Sequence, residues 1–273
     1  SVMSNLSDLL PAGASAKSIT ATDSGSGIAI NTPVILETAG TVTQIAETTV
    51  SVDMPQGSMA TADSTNEVAN NSCAIDISSN KVVIVGRDSS TSSYLACYVG
   101  DINTTTGSIS FGSRTHLTSS NSQYPRVVAD PNDTGKFIVC WNDGGTQMKV
   151  GIISVSGTTP SLAGTSNFGD TSGEYPIIAA DPNTTGSFVC VYEEMDSSTR
   201  HTLATAFTYT GSTITIGTEQ EINTVEIDTP AYAGVAFDQK TAGKFGIAWK
   251  DYASPYYLYF QAGTISGTTI TEG

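Results

Sequence analysis

Tyr124-Pro-Arg-Val-Val-Ala-Asp-Pro-Asn-Asp-Thr-Gly-Lys-Phe-Ile-Val-Cys-Trp141 and Tyr175-Pro-Ile-Ile-Ala-Ala-Asp-Pro-Asn-Thr-Thr-Gly-Ser-Phe-Val-Cys-Val-Tyr192 match almost position for position. A third copy runs from Ala233 to Asp238 and from Gly243 to Trp249, and a degenerate one from Cys73 to Asp76 and from Lys81 to Gly86. The anchor aspartates are Asp76, Asp130, Asp181 and Asp238, 51 to 57 residues apart. Self-similarity at such a period is the mark of a repeat architecture.

Within each copy the pattern is strand, tight loop, strand. Asp-Pro-Asn opens a turn, and Gly135, Gly186 or Gly243 supplies a residue tolerant of positive φ. The second strand carries Phe137 and Trp141, Phe188 and Tyr192, or Phe245 and Trp249, each pair four residues apart and so on one face of the sheet. These aromatics are candidates for a core between adjacent sheets.

A third strand follows in each unit, at 94–99, 149–155, 202–208 and 256–264, then a Gly-containing turn. A fourth is legible at 108–111, 213–216 and 268–271. Four antiparallel strands per unit is the arithmetic of propeller blades, whose radial packing hides sheet edges.

The expected fold is therefore all-β: a small β-propeller of about four, alternatively five, four-stranded antiparallel blades. Blades are placed at 72–123, 124–174, 175–228 and 229–273. The last copy stops at Glu272-Gly273, and Gly57 stands before Asp76 much as Gly112 stands before Asp130. Residues 54–71 are accordingly expected to supply a closing strand that ties the ring together.

Residues 1–53 differ in texture. Leu6, Leu9 and Leu10 ahead of Pro11-Ala-Gly read as a short turn or assembly arm, followed by β-like stretches at 27–36, 41–46 and 48–52. Glu37-Thr-Ala-Gly40 reads as a hairpin turn between the first two. This segment is expected to be a separate attachment module or an atypical blade.

A net charge of −15, with no Lys/Arg cluster, sets the surface against phosphate backbones and anionic headgroups, so nucleic acid is not an expected partner. No run approaches the ~18 apolar residues of a membrane span, and no basic region precedes an apolar one at the N-terminus, so neither membrane insertion nor a signal peptide is expected. Cys73, Cys97, Cys140 and Cys190 form no C-x-x-C pair; they read as reduced structural thiols, with Cys73–Cys97 the pairing to check.

Chemistry is sparse. His116 and His201 lie in no nucleophile or metal motif, and the strings G-x-S-x-G, H-E-x-x-H and the P-loop are missing. No catalytic residue and no cofactor is expected. One polar feature recurs: Asp88, Asp143, Glu194 and Asp251 each follow the second-strand aromatic slot by two residues, placing four acids on one rim. The readings are carboxylates that accept backbone N–H bonds in the turn, or a ring of Ca²⁺ ligands. A second surface is the run Tyr252, Tyr256, Tyr257, Tyr259 and Phe260, read as packing or as a patch for sugar rings or a protein.

The string Tyr-Pro-x-x-x-x-Asp-Pro-Asn-x-Thr-Gly-x-Phe, with turns such as Ser266-Gly-Thr-Thr-Ile270, resembles repeat proteins of tailed bacteriophage virions, marine ones in particular. The stretches from Leu6 to Gly13 and from Thr32 to Val42 look like the N-terminal part of such proteins. The first unit departs from the pattern, with Gly86 in the aromatic slot. The resemblance implies a non-enzymatic virion component, a surface decoration or tail or fibre part, located in the extracellular particle. Its implied partners are other capsid or tail proteins, further copies of itself and host-surface glycan. The alternatives are a carbohydrate-binding module and a glycan hydrolase.

Overall fold

The computed structural model describes residues 59–144, 147–169, 173–196, 199–223, 233–250 and 257–273, with short strands at 22–23, 34–36 and 41–44. The chain divides into two compact units, Ser1–Met54 and Pro55–Gly273. In the first unit β1 (Thr22–Asp23), β2 (Val34–Leu36) and β3 (Thr41–Gln44) form a sheet of order β1-β3-β2. The antiparallel β2–β3 pair brackets the expected turn at 37–40, whereas β1 runs parallel to β3. Leu6, Leu9, Leu10 and the stretch 48–52 lie outside the described residues.

Every described element of the second unit is a strand. The first sheet holds β4 (Val68–Asp76), β5 (Lys81–Asp88), β6 (Tyr94–Ile102) and β7 (Ile109–Phe111), with β8 (Thr115–His116) also pairing with β6. The second holds β9 (Gln123–Ala129), β10 (Lys136–Asn142), β11 (Met148–Ser156) and β12 (Thr159–Phe168). The third holds β13 (Gly173–Ala180), β14 (Ser187–Asp196), β15 (Thr199–Thr210) and β16 (Thr213–Ile216), with β17 (Gln220–Asn223) on β15. The fourth holds β18 (Gly234–Phe237), β19 (Lys244–Lys250), β20 (Leu258–Ser266) and β21 (Thr269–Glu272). Each is an antiparallel meander, and β4, β9, β13 and β18 line one shared cavity of about 580 Å³. The described residues of the second unit thus form four blades of a small β-propeller.

The core lies between blades, because each sheet is too thin to bury apolar residues within itself. Phe137, Val139 and Trp141 of blade 2 pack against Val83, Val85, Leu95 and Val99 of blade 1. Phe188, Tyr192 and Phe207 of blade 3 pack against Ile138, Met148, Val150 and Ile152 of blade 2. Phe245, Ile247 and Trp249 of blade 4 meet Val189, Val191, Ala204 and Ala206 of blade 3. The aromatic rows legible in the sequence are thus the filling of all three layers, each supplied by the later blade of the pair.

One expectation is corrected. No closing strand forms over the described residues: 59–67 contain no strand, Val68 to Asn71 already belong to β4, and the last sheet ends on its own β21. Residues 54–58 lie outside the described residues. Asp63 instead accepts a hydrogen bond from the Tyr98 hydroxyl at 2.8 Å, which lays this segment along the first blade. The four cysteines are free, as expected, and the one pairing to check does not form, since β5 separates the strands of Cys73 and Cys97. Cys97 is fully buried, and burial pushes its thiol up to about 12, whereas Cys73 is exposed.

Candidate functional site

The anchor aspartates do more than open turns. Each accepts an N–H from its own turn: Asp130 from Asn132 at 2.9 Å, Asp181 from Asn183 at 2.9 Å, Asp238 from Lys240 at 2.7 Å. The other carboxylate oxygen reaches the next blade. Gly135 N–H donates to Asp76, Gly186 N–H to Asp130, and Gly243 N–H to Asp181, at 2.7, 2.7 and 2.8 Å. The three glycines sit at φ of 74°, 68° and 71°, and at Gly243 a Cβ would stand 2.4 Å from the Ile265 carbonyl oxygen. Charge-assisted bonds of this kind, made away from water, fix the angle between blades as well as adding stability. The Asn183 amide adds a second link, donating to the Asp238 carbonyl at 3.0 Å.

At the opposite end of the blades stand the rim acids Asp88, Asp143 and Glu194. Asp88 is fully buried and holds the Ser90 N–H and hydroxyl on one oxygen, with Arg114 and His116, each at 2.7 Å, on the other. Burial alone would raise its pKa, but the Ser90, His116 and Arg114 interactions outweigh it and hold the carboxyl below the usual range. Both oxygens are occupied by donors, so Asp88 is a poor ligand for a cation. Asp143 pairs with Lys149 across its hairpin at 3.1 Å. Glu194 sits within β14 opposite His201, and Asp251 lies outside the described residues. Asp88, Asp143 and Glu194 therefore share a rim but not a site, and no group of three metal-ligating side chains forms among the described residues. The backbone-accepting reading holds for Asp88; Arg114 and His116 were not readable as its partners, because 26 and 28 residues of chain separate them from it.

The same rim carries a feature the sequence displayed only as a repeated Tyr-Pro. Tyr124 and Tyr175 both have φ of 51°, a left-handed conformation that is costly for a bulky side chain, and each marks a bulge at the start of an inner strand. Asn70 takes the same position in blade 1 at φ 55°. The Tyr124 and Tyr175 ring centroids are 4.1 Å apart, and the hydrogen bond between the hydroxyls, with burial, pushes Tyr175 up to about 12. Strain of about 1–3 kcal/mol at each tyrosine is held by the surrounding sheets.

The expected aromatic patch is only partly within view. Tyr252 and Tyr256 lie outside the described residues. Tyr257, Leu258, Tyr259 and Phe260 are all exposed at the start of β20. Tyr259 stacks on Trp249 at 5.8 Å, whereas Phe260 points to the other face, opposite Ala248 and over Gly246.

No family model and no curated protein matches the sequence. Among solved structures, an exo-beta-1,3-galactanase from Phanerochaete chrysosporium is similar at 11% identity and a TM-score of 0.46, over 79% of this chain and 51% of that one. Saccharomyces cerevisiae Sqt1 is similar at 8% identity and 0.46, over 76% and 48%. Trypanosoma rangeli sialidase is similar at 14% identity and 0.44, over 79% and 40%. The chain matches about half or less of each of these structures, and at these values the likenesses assign it no activity.

Proposed function

We propose that this chain is a non-enzymatic structural component of a bacteriophage particle, a surface decoration or a tail or fibre part, that uses its propeller for assembly or host-surface contact. The observation that carries this reading is the outer face of blade 4. The corresponding faces of blades 1 to 3 are sealed by the next blade, whereas this one exposes Leu258 and Phe260 at 76% and 72%. Exposed apolar groups on the face of a sheet mark a contact surface. The resemblance of the Asp-Pro-Asn repeats to virion proteins supplies the setting.

Gradient-purified particles from the producing host test the reading. The chain is expected at a fixed copy number relative to the capsid or tail proteins, and its recovery only in the free lysate protein would overturn the assignment. A carbohydrate-binding reading is favoured by one observation, the exposed Tyr257 and Tyr259 rings, at 59% and 37%. Stacking on a pyranose ring would be its physical basis. Glycan-array binding that disappears in a Tyr257→Ala variant supports it, and an array without signal removes it.

A further inference from the structure

Acids outnumber cations in this chain by 26 to 11, so a cation without an acid is an anomaly. Lys81 pairs with Asp101, Arg114 with Asp88 and Lys149 with Asp143. Arg126 pairs with no carboxylate among the described residues. Its one hydrogen bond there runs from Nη1 to the carbonyl of the adjacent Pro125 at 3.0 Å, which leaves most of the guanidinium's donors unused. The residue is nevertheless half-buried, and burial alone pulls its pKa below the ordinary arginine value. A cation held away from water without a partner costs stability, and such departures from good packing gather where a chain is built to bind something.

Its place in the fold says where a partner would come from. Arg126 lies on β9, the innermost strand of blade 2, which packs between the inner strands β4 and β13. The next three residues, Val127, Val128 and Ala129, line the axial cavity of about 580 Å³, a volume ordinary for small-molecule pockets. Counted back from the anchor aspartates Asp76, Asp130, Asp181 and Asp238, the deepest lining residues, Cys73, Val127, Ile178 and Val235, all hold the third position. The fourth position holds Ser72, Arg126, Ile177 and Gly234, so Arg126 is the one charged residue of the next layer inward. From that layer outward the walls are mostly apolar. Asp76, the acid among the lining residues, has both oxygens taken by Ser78, Ser79 and Gly135. Ile75 and Ile77, 55% and 85% exposed, place the mouth at the anchor turns.

We propose that the axial cavity binds a small organic carboxylate, with its apolar body along Ile75, Val128, Ile178 and Phe237 and its carboxylate on the Arg126 guanidinium. The planar fork of arginine matches the two oxygens of a carboxylate, and such bonds are strong where water is excluded. A compact inorganic anion would leave the apolar walls uncovered, and an uncharged apolar molecule would leave the guanidinium unpaired. The site goes beyond the virion reading and does not depend on it, since that reading concerns the outer face of blade 4.

Hexanoate serves as the probe and Cys73 as the reporter, because Cys73 lines the cavity and is exposed whereas Cys97, Cys140 and Cys190 are buried. In the full chain, millimolar hexanoate is expected to slow alkylation of Cys73 by N-ethylmaleimide, read by peptide mass mapping. It should also raise the melting temperature, as a ligand of the folded state does. Hexan-1-ol has the same tail without the charge and should need about tenfold more for equal protection, the worth of a charge-assisted contact. Arg126→Met should lose both hexanoate effects while its ligand-free melting temperature stays level or rises, since the change removes a charge that has no partner. A residue kept for stability alone would lower it. Buried thiols that stay unalkylated identify folded protein. Wild-type Cys73 left unprotected by hexanoate overturns the proposal. So does equal protection by hexan-1-ol at the same concentration, a comparison that needs no variant, and so does undiminished protection in Arg126→Met.

Discussion

At the scale of single residues, the informative contrast is between Asp130 and Asp238, which occupy equivalent turns in different surroundings. Asp130 is buried and receives Gly186 N–H and the Tyr209 hydroxyl on one oxygen, at 2.7 and 2.9 Å. Replacing that oxygen with an amide leaves two buried donors facing an NH₂ group. Asp130→Asn is therefore expected to lower unfolding free energy by about 1–3 kcal/mol. Asp238→Asn, measured in dilute solution, should fall within about 0.5 kcal/mol of wild type. Urea denaturation of the two variants checks the pair, and equal losses would refute the distinction. Acid should act through the same groups. Asp76 is held below its ordinary pKa: burial opposes this, but the hydroxyls of Ser78 and Ser79 and the Gly135 N–H outweigh burial, as the Ser90, His116 and Arg114 contacts do for Asp88. A depressed folded pKa contributes stability that is present above the unfolded value of about 3.9 and is lost as pH falls through the folded one. Melting temperature should accordingly drop below about pH 4 and lose part of that drop in Asp76→Asn. The aspartates were legible as repeat anchors, but their partners were not, because the acceptor and its glycine lie 56 to 62 residues apart.

At the scale of elements, the tight Asp-Pro-Asn to Gly loops and the paired aromatics gave the second strands correctly, and β10, β14 and β19 carry their rings on the faces expected. The rings lie on the face buried against the preceding blade, and in β10 and β14 the other face is buried as well, against the next blade. Phe188 shows what that layer is worth. It is fully buried and stacks with Phe207 and Tyr209 at 5.9 and 6.0 Å, so Phe188→Ala should cost about 3–5 kcal/mol, read as a shift in denaturation midpoint. A loss below about 1 kcal/mol would mean that the blades do not depend on this layer. Element starts were less legible than element cores. The inner strand of blade 1 begins at Val68, inside the stretch expected to close the ring, since Val68 and Ala69 pair with Asp88 and Arg87 beyond a bulge that carries Asn70. A bulge displaces the pairing by one residue and conceals the period-2 pattern from which strands are read.

At the scale of the whole second unit, stability is distributed over three similar joints, so each blade depends on its neighbours as in other repeat folds. Ending the chain at residue 232 would remove β18–β21 and uncover Val189, Val191, Ala204 and Ala206. Binding of the dye ANS should rise and the denaturation midpoint should fall in that truncation. Unchanged values for both would show that blade 4 is dispensable to the layer it covers.

What the sequence determined by itself was the repeat: its period, the four-stranded unit, the turn chemistry and the side of each sheet that carries the aromatics. These depend on neighbours close in the chain, where alternation and turn preference act directly. Only the tertiary structure decided how the units connect: the aspartate-to-glycine links, the ion pairs that occupy the rim acids, the left-handed tyrosines, and the failure of residues 59–67 to form a strand. Apart from the hairpin pair Asp143–Lys149, those outcomes rest on contacts between segments from about half a repeat to a whole repeat apart, and such distances leave no local pattern to read.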